Sequence, residues 1–176
     1  MAGYLACLLL SVATAATAIA ADGEKKSFAL PDNSKLELAI PAGWQDELKE
    51  KSIALSPREG APFQLVLTPV ARQRQGTSAD TAIKMRDSVQ QSADKVKTGA
   101  IEPYLPVEPL TGAPGPGYYF SATDREPKPG EFKYLTQGML LVGDVVVSFS
   151  ILTNDAQQKV KDQALAMLKS ASHIAR

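Results

Sequence analysis

The stretch FKYLTQGMLLVGDVVVSFSIL, residues 132–152, decides the fold of this chain. It holds two runs of strand-forming residues on either side of Gly143-Asp144, and such a two-residue connection is typical of a tight β-hairpin. We therefore predict strands at Phe132–Val142 and Val145–Leu152. Because the second run is apolar on both faces, it is typical of a central strand that helices cover in front and behind.

The rest of the chain alternates between short strands and turns. The pattern predicts further strands at 27–30, 35–40, 52–55, 63–69, 104–110 and 117–123. Pro106 and Pro109 cannot donate ladder hydrogen bonds, so the strand at 104–110 is expected at a sheet edge.

Two amphipathic helices complete the pattern. The first is capped by Thr77 or Ser78 and closed by Gly99. Its stripe of three- and four-residue steps is Ala79, Ile83, Arg86, Val89, Ala93 and Val96. The second runs from about Asp155 to Ser172, with a stripe of Val160, Ala164, Met167, Leu168 and Ala171.

This order of elements predicts an α+β fold in one domain over residues 27–173. Consecutive strands joined by short turns indicate a mainly antiparallel sheet, and two amphipathic helices can cover its two faces. The expected architecture is an α/β/α sandwich.

The N-terminal residues predict export. Leu5–Ile19 is an apolar run too short to span a bilayer comfortably, and Ala18-Ile19-Ala20 is a signal-peptidase site. We expect a signal peptide at 1–20, a polar lead-in at 21–26, and a periplasmic or secreted protein without stable membrane insertion after cleavage. The alternative, an uncleaved anchor, stays open because Met1–Tyr4 carries no Lys or Arg.

Composition excludes several functions. The formal net charge is zero, whereas nucleic-acid binding normally requires a basic excess. The one cysteine, Cys7, lies in the signal segment, and the one histidine, His173, is read as a solvated residue at a helix end. We therefore predict no catalytic, cofactor-binding or metal-binding residues.

Two sequence patterns that suggest a catalytic or a phosphate-binding site do not lie on the secondary-structure elements that such a site requires. Ser92-Ala93-Asp94-Lys95 and Lys97-Thr98-Gly99 match the S-x-x-K and K-T-G motifs of penicillin-recognising enzymes, but they lie on one helix and its end. The residues 112–117 are glycine-rich, but they precede a strand instead of a helix and include two prolines, so they do not form a phosphate cradle.

The loop 124–131 and the polar loop 71–77 are the expected contact surfaces. Asp124, Glu126 and Glu131 could bind calcium, but Arg125, Lys128 and Lys133 interleave with them, which favours a solvated loop. Trp44 is expected to plug the end of the core, with an exposed contact role as the alternative. The possible partner contacts are Trp44, Arg72, Arg74, Asp124, Arg125 and Glu131.

The chain resembles the Mog1/PsbP-like superfamily of α/β/α sandwiches. The resemblance rests on the strand Leu36–Ile40 with Pro41-x-Gly43-Trp44, and on the hairpin Tyr134–Leu152 followed directly by a terminal helix. Members include the lumenal extrinsic subunit of photosystem II, a nuclear-transport GTPase-binding protein and bacterial envelope proteins. The resemblance implies a non-enzymatic binding or assembly module, and it transfers no metal or contact residue to this chain.

Three functions therefore remain. The first is an exported binding or assembly module with a protein partner in the bacterial envelope. The second is an enzyme using carboxylate or tyrosine chemistry through Glu131, Tyr134 and Asp144, since two carboxylates suffice for glycoside hydrolysis. The third is a small-ligand carrier, which would require an apolar cavity between sheet and helix.

Overall fold

The computed structural model describes residues 23–71, without the side chain of Ala71, and residues 77–176. The predicted signal peptide and its cleavage site, Cys7, Arg72, Arg74 and most of the loop 71–77 lie outside the described residues. The strands are β1 (Gly23–Ala29), β2 (Lys35–Pro41), β3 (Trp44–Lys49), β4 (Ser52–Pro57), β5 (Gln64–Ala71), β6 (Glu108–Pro109), β7 (Gly117–Thr123), β8 (Tyr134–Val142), β9 (Val145–Thr153) and β10 (Ser172–Ile174). The helices are α1 (Ser78–Val96) and α2 (Gln158–Lys169).

The predicted hairpin is present, and it lies within a larger antiparallel sheet. β8 and β9 pair from Val142↔Val145 to Tyr134↔Thr153 around the Gly143-Asp144 turn. The seven-stranded sheet has the order β3-β4-β5-β9-β8-β7-β6, and every pairing in it is antiparallel. α1 packs on β7 and β8, while α2 contacts β9 from the opposite face. The α+β fold with a mainly antiparallel sheet and two helices is confirmed.

The two faces of this sheet are buried to different extents. Buried apolar residues of β4, β5, β8 and β9 pack with α2 and β2 in one large cluster. Val89 and Ala93 of α1 pack with Phe120 and Ala122 of β7 in a smaller cluster on the other face. Residues of β9 accordingly alternate between buried and half-buried, with Ser148 and Ser150 on the less buried face. Val89 and Ser92 of α1 line a small pocket with Ser148 on that face, so helices lie on both faces of this strand but bury them unequally.

A three-stranded sheet of order β1-β2-β10 forms a second layer beside α2. Gly23 to Lys26 were expected to be a polar lead-in, but they pair with β2 as part of β1. Their side chains gave no strand signal because an edge strand can form through its backbone, while only one residue, here Phe28, is buried.

His173 is also in this small sheet, opposite Leu36, instead of at a solvated helix end. Its ring packs against Gly143, where a Cβ atom would lie 2.9 Å from Nδ1 of His173. The Nε2 atom is buried and has no hydrogen-bond partner among the described residues. The ring of His173 therefore packs against the tight turn of the hairpin.

The Pro41-x-Gly43-Trp44 motif is the connection between the two sheets. Gly43 has a φ of 83°, a conformation that glycine adopts without steric cost, and Trp44 begins β3. Trp44 is 7% exposed and packs edge-to-face on Phe63, with 5.3 Å between ring centroids. The prediction that Trp44 plugs the end of the core agrees with this burial. β3 itself was missed because five of its six residues are not buried.

α1 begins as predicted but buries a different stripe. Thr77 forms a capping box with Asp80. The buried residues are Met85, Val89 and Ala93, whereas Ile83 is 61% exposed. Ile83 lies six residues before Val89, about 120° around the helix at 3.6 residues per turn, so the two cannot share a narrow stripe. No helix in the described ranges is both long and apolar enough to cross a membrane.

Candidate functional site

The long strands β8 and β9 have two chemically different ends. At the hairpin end, which we define by Val142 and Val145, the residues are buried and apolar. At the cleft end, which we define by Tyr134 and Thr153, hydroxyl, amide and charged groups come together. The candidate site is at the cleft end.

A polar cleft of about 260 Å³ opens on the α2 face of the cleft end. Strands β7, β8 and β9 form its floor, and the start of α2 forms one wall. The polar side chains that line it belong to Glu102, Ser121, Thr123, Tyr134, Thr136, Thr153, Asn154, Asp155, Gln157, Gln158 and Lys161.

Lys161 is the central cation of the polar cleft. Its half-buried side chain places Nζ 3.4 Å from Oγ of Ser121, whose Oγ is 2.9 Å from Oγ1 of Thr136. Burial lowers the pKa of Lys161, although the charges of Asp162 and Glu108 act to raise it. The ammonium therefore lies in a less hydrated site than a surface lysine occupies.

The rim of the polar cleft is a hydrogen-bonded trio. The hydroxyl of Tyr134 donates to Oδ1 of Asp155 at 2.6 Å, and Nζ of Lys133 donates to the same oxygen at 2.9 Å. The bond from Tyr134, followed by that from Lys133, holds the pKa of Asp155 below its usual value. The carboxylate of Asp155 is therefore ionised at neutral pH.

Glu102 is fixed on the opposite side of the polar cleft. Its two oxygens accept from the backbone N–H of Thr123 at 3.0 Å and from the Thr123 hydroxyl at 2.6 Å. Burial acts to raise the pKa of Glu102, but the hydrogen bonds from Thr123 together lower it. Neither acid of this cleft has the raised pKa that a general acid requires at neutral pH.

Gln157 positions the start of α2 against the sheet. Its Nε2 donates to the carbonyls of Ala61 at 3.1 Å and Pro62 at 2.9 Å, and its Oε1 accepts from the N–H of Asn154 at 2.6 Å. Because the amide is used in these bonds, Gln157 is a structural contact that holds the wall of the cleft.

An apolar pocket of about 260 Å³ lies on the α1 face of the same end. It is bounded by the end of α1 and by β7, β8 and the loop that joins them. Its lining is Val96, Gly99, Ala100, Ala122, Thr123, Asp124, Phe132, Lys133, Tyr134, Leu135 and Leu152. Pockets that bind drug-sized ligands usually measure about 300–1,000 Å³, so this volume suits a single side chain better.

The loop 124–131 flanks the apolar pocket, and its side chains mainly hold the loop itself. Oδ1 of Asp124 accepts from the N–H of Glu126 at 3.0 Å, and Oε2 of Glu131 accepts from the N–H of Lys128 at 3.0 Å. Arg125 donates from Nη2 to the carbonyl of Ala100 at 2.7 Å. The bonds of Asp124 and Glu131 stay within this exposed loop, and Arg125 holds it to the segment that follows α1.

The other predicted site residues are not brought to this loop. Trp44 is in the core, which favours its packing role over partner contact. Arg72 and Arg74 are outside the described residues. Ala71 pairs with Val145, so β5 ends at the hairpin end, opposite the loop 124–131.

The proposed carboxylate and tyrosine chemistry has no common site. Tyr134 begins β8 and Asp144 follows its last residue, Val142. Eight residues of strand at about 3.4 Å each separate Tyr134 from Val142 by roughly 27 Å, too far for one substrate. Among the described residues, no group of three or more His, Cys, Asp or Glu side chains could hold a metal ion.

Sequence reasoning missed the hydroxyl–lysine group of the polar cleft. Lys161 lies three residues before Ala164 and four after Gln157, both buried, so it shares the inward stripe of α2. Thr136 occupies an inward position of β8, where buried and half-buried residues alternate, and it is 2% exposed. A charged or hydroxyl residue on an inward stripe was the available signal, but α2 was read only for its apolar positions.

The chain shares its fold with solved structures to which it is 11% identical in sequence. LpqN of Mycobacterium tuberculosis, described as involved in cell envelope biogenesis, is similar with a TM-score of 0.56 and 11% identity over 86% of this chain and 91% of LpqN. A Bacteroides thetaiotaomicron VPI-5482 protein has a TM-score of 0.54 and 11% identity over 86% of this chain and 48% of its own. This chain thus spans about half the length of the Bacteroides protein.

Cyanobacterial PsbP (CyanoP) from Synechocystis sp. PCC 6803 aligns over 93% of this chain and 98% of its own, with 13% identity and a TM-score of 0.44. No protein-family model matches the sequence. No curated protein is detectably similar to it in sequence. At these identities the likeness concerns the fold alone.

Proposed function

We propose that the protein is an exported, non-enzymatic binding or assembly module of the bacterial cell envelope that binds a protein partner at the cleft end. The observation that carries this proposal is the arrangement of that end. An apolar pocket, a polar cleft and an exposed loop lie side by side around Tyr134.

This arrangement is typical of a protein interface. Interfaces combine an apolar anchor in a pocket with a polar rim, and a few central residues carry most of the affinity. The apolar pocket around Phe132 and Leu135 suits an anchoring side chain, while the loop 124–131 and the polar cleft supply the rim.

The state of the polar groups favours binding over catalysis. The acids Asp155 and Glu102 are ionised and hydrogen-bonded in place, and both have lowered pKa values. Such groups orient a partner but do not donate a proton at neutral pH. The fold shared with LpqN, which is described as involved in envelope biogenesis, supports a role in the same compartment.

A serine hydrolase is the second candidate, and one observation favours it. Ser121 and Lys161 are 3.4 Å apart, and serine–lysine pairs serve as nucleophile and base in some hydrolases. Burial lowers the pKa of Lys161, which is the direction a lysine base requires.

Complementation of a deletion strain distinguishes the two candidates. One variant replaces residues 126–130 with Gly/Ser, and the other is Ser121→Ala. We expect the loop exchange to abolish complementation and Ser121→Ala to weaken it only in part, because Thr136 keeps its hydroxyl, with folding of both checked by circular dichroism. Loss of complementation by folded Ser121→Ala together with normal function of the loop variant would establish the hydrolase.

A further inference from the structure

We propose that the polar cleft is a binding site for a carboxylate group, with Lys161 as the charge partner and the Ser121–Thr136 hydroxyl pair as the hydrogen-bond donor. The inference rests on the proposed function, since the carboxylate belongs to the protein partner. It names the chemistry that this end of the molecule recognises.

The ammonium of Lys161 forms no salt bridge among the described residues. It has three N–H donors, and its polar contact is Oγ of Ser121 at 3.4 Å. The charges of Asp162 and Glu108 act on it from beyond salt-bridge distance. Glu108 accepts from the hydroxyl of Tyr119 at 3.0 Å, and Asp162 accepts from Nε2 of Gln158 at 2.8 Å. A half-buried charge with one long contact is unfavourable unless an anion joins it.

The hydroxyl pair supplies a donor beside this charge. Ser121 and Thr136 share one hydrogen bond of 2.9 Å, and each hydroxyl carries one proton. One of the two protons is used between them, so the other is available to an incoming oxygen. An ammonium and a hydroxyl side by side match the two oxygens of a carboxylate.

Among the described residues, neither acid that lines the polar cleft, Asp155 or Glu102, forms a salt bridge with Lys161. Asp155 is bound by Tyr134 and Lys133, and Glu102 is bound by Thr123. α2 begins without a side-chain cap and without an acidic residue in its first turn. Its positive end lies at the wall formed by Gln157 and Gln158, which adds a field favourable to an anion.

A singly charged carboxylate suits the cleft better than a phosphate. One cation and one free hydroxyl proton balance a single negative charge, whereas phosphate sites gather more donors and charge. The volume of about 260 Å³ admits the end of a peptide or one acidic side chain.

The test is titration of the exported protein with three small probes, followed by amide and lysine side-chain NMR. N-acetyl-alanine carries a terminal carboxylate. The α-amide of N-acetyl-aspartic acid carries a side-chain carboxylate, and N-acetyl-alanine amide carries none. We expect saturable shifts at Ser121, Thr136 and Lys161 with one or both carboxylates and none with the amide. We also expect the pKa of Lys161 to rise on binding, because an anion favours the charged form.

The matched variants are Lys161→Met and Lys159→Met, which remove one charge each from the buried and the exposed side of α2. We expect Lys161→Met to weaken carboxylate binding at least tenfold and Lys159→Met to change it less than twofold. Equal affinity in folded Lys161→Met, or equal shifts with the amide probe, would overturn the inference. Partner cross-linking at the cleft end tests the proposed function separately, since it requires no carboxylate probe.

Discussion

The hairpin end and the cleft end of strands β8 and β9 differ in the side chains that the same two strands place at their inward positions. At the hairpin end, Val142 and Val145 are buried and His173 seals the turn. At the cleft end, the inward positions of the same strands carry the hydroxyls of Thr136 and Thr153. Hydroxyls and charges at inward positions cost stability unless they are bonded. Their concentration at one end is the contrast on which the proposed binding surface rests.

The largest loss of unfolding free energy is expected from truncating the buried side chain of Trp44. Trp44→Ala removes a ring that is 7% exposed and packs on Phe63. Truncating such a buried aromatic costs about 3–5 kcal/mol of unfolding free energy, which denaturant midpoints measure. A loss below about 1 kcal/mol, the range of surface substitutions, would place the ring outside the core.

Tyr104 supplies the control for this measurement, because its side chain is 64% exposed. Tyr104→Ala should cost less than about 0.5 kcal/mol, as surface substitutions usually do.

The next largest loss of unfolding free energy is expected at the hairpin end, and it is compared with a matched substitution in the loop 124–131. Gly143 and Gly130 have φ values of 57° and 89°. Alanine at either position meets a backbone cost of about 1–2 kcal/mol for a left-handed conformation. Only at Gly143 would the added Cβ approach the ring of His173, so we expect Gly143→Ala to lower the free energy of unfolding more than Gly130→Ala does. Equal losses in chemical denaturation would mean that His173 does not pack tightly at the hairpin end.

A smaller effect is expected from the hydroxyl pair of the polar cleft. Thr136→Val leaves the volume nearly unchanged and removes the partner of Ser121. The loss of this hydrogen bond should cost about 1 kcal/mol. Thr136→Val, Ser121→Ala and the double variant form a thermodynamic cycle for the bond. Strict additivity of the two single losses would contradict a hydrogen bond between these hydroxyls.

The smallest expected change is a gain in the free energy of unfolding when Lys161 is replaced. Burial lowers the pKa of Lys161, so the folded state holds this proton less tightly than the unfolded state. The destabilisation is complete at neutral pH and is relieved as the pH rises through the folded pKa towards the unfolded value of about 10.4. Lys161→Met should therefore be more stable than wild type by up to about 0.5 kcal/mol at pH 7, with a smaller difference near pH 10.

Thermal or chemical unfolding of wild type and Lys161→Met across this pH range gives the measurement. A Lys161→Met variant that is less stable at pH 7 would show that the ammonium has a favourable partner in the folded chain.

The sequence specified the framework of the fold because the framework follows local rules. The hairpin at Gly143-Asp144 and the cap at Thr77 depend on residues that are neighbours in the chain. The first four residues of β1, Gly23–Lys26, and the whole of β3 and β10 were missed because they form through backbone pairing with a neighbouring strand. No local pattern of side chains marks such edge strands.

The site was less accessible from the sequence than the fold. The loop 124–131 was found because charges, prolines and glycine mark exposed loops. The polar cleft joins Ser121, Thr136 and Lys161 from β7, β8 and α2, and only the antiparallel register brings them together. A cluster assembled across three elements carries no signal in any one of them.

The most direct test of the account is site-specific photo-cross-linking in living cells. A photoreactive phenylalanine replaces Lys128 in the cleft-end loop in one strain and Asp144 at the hairpin end in another, both at exposed positions. We expect a discrete adduct with one envelope protein, identified by mass spectrometry, at Lys128 and none at Asp144. An adduct confined to Asp144, or none at either position in a strain that still complements the deletion, would contradict binding at the cleft end.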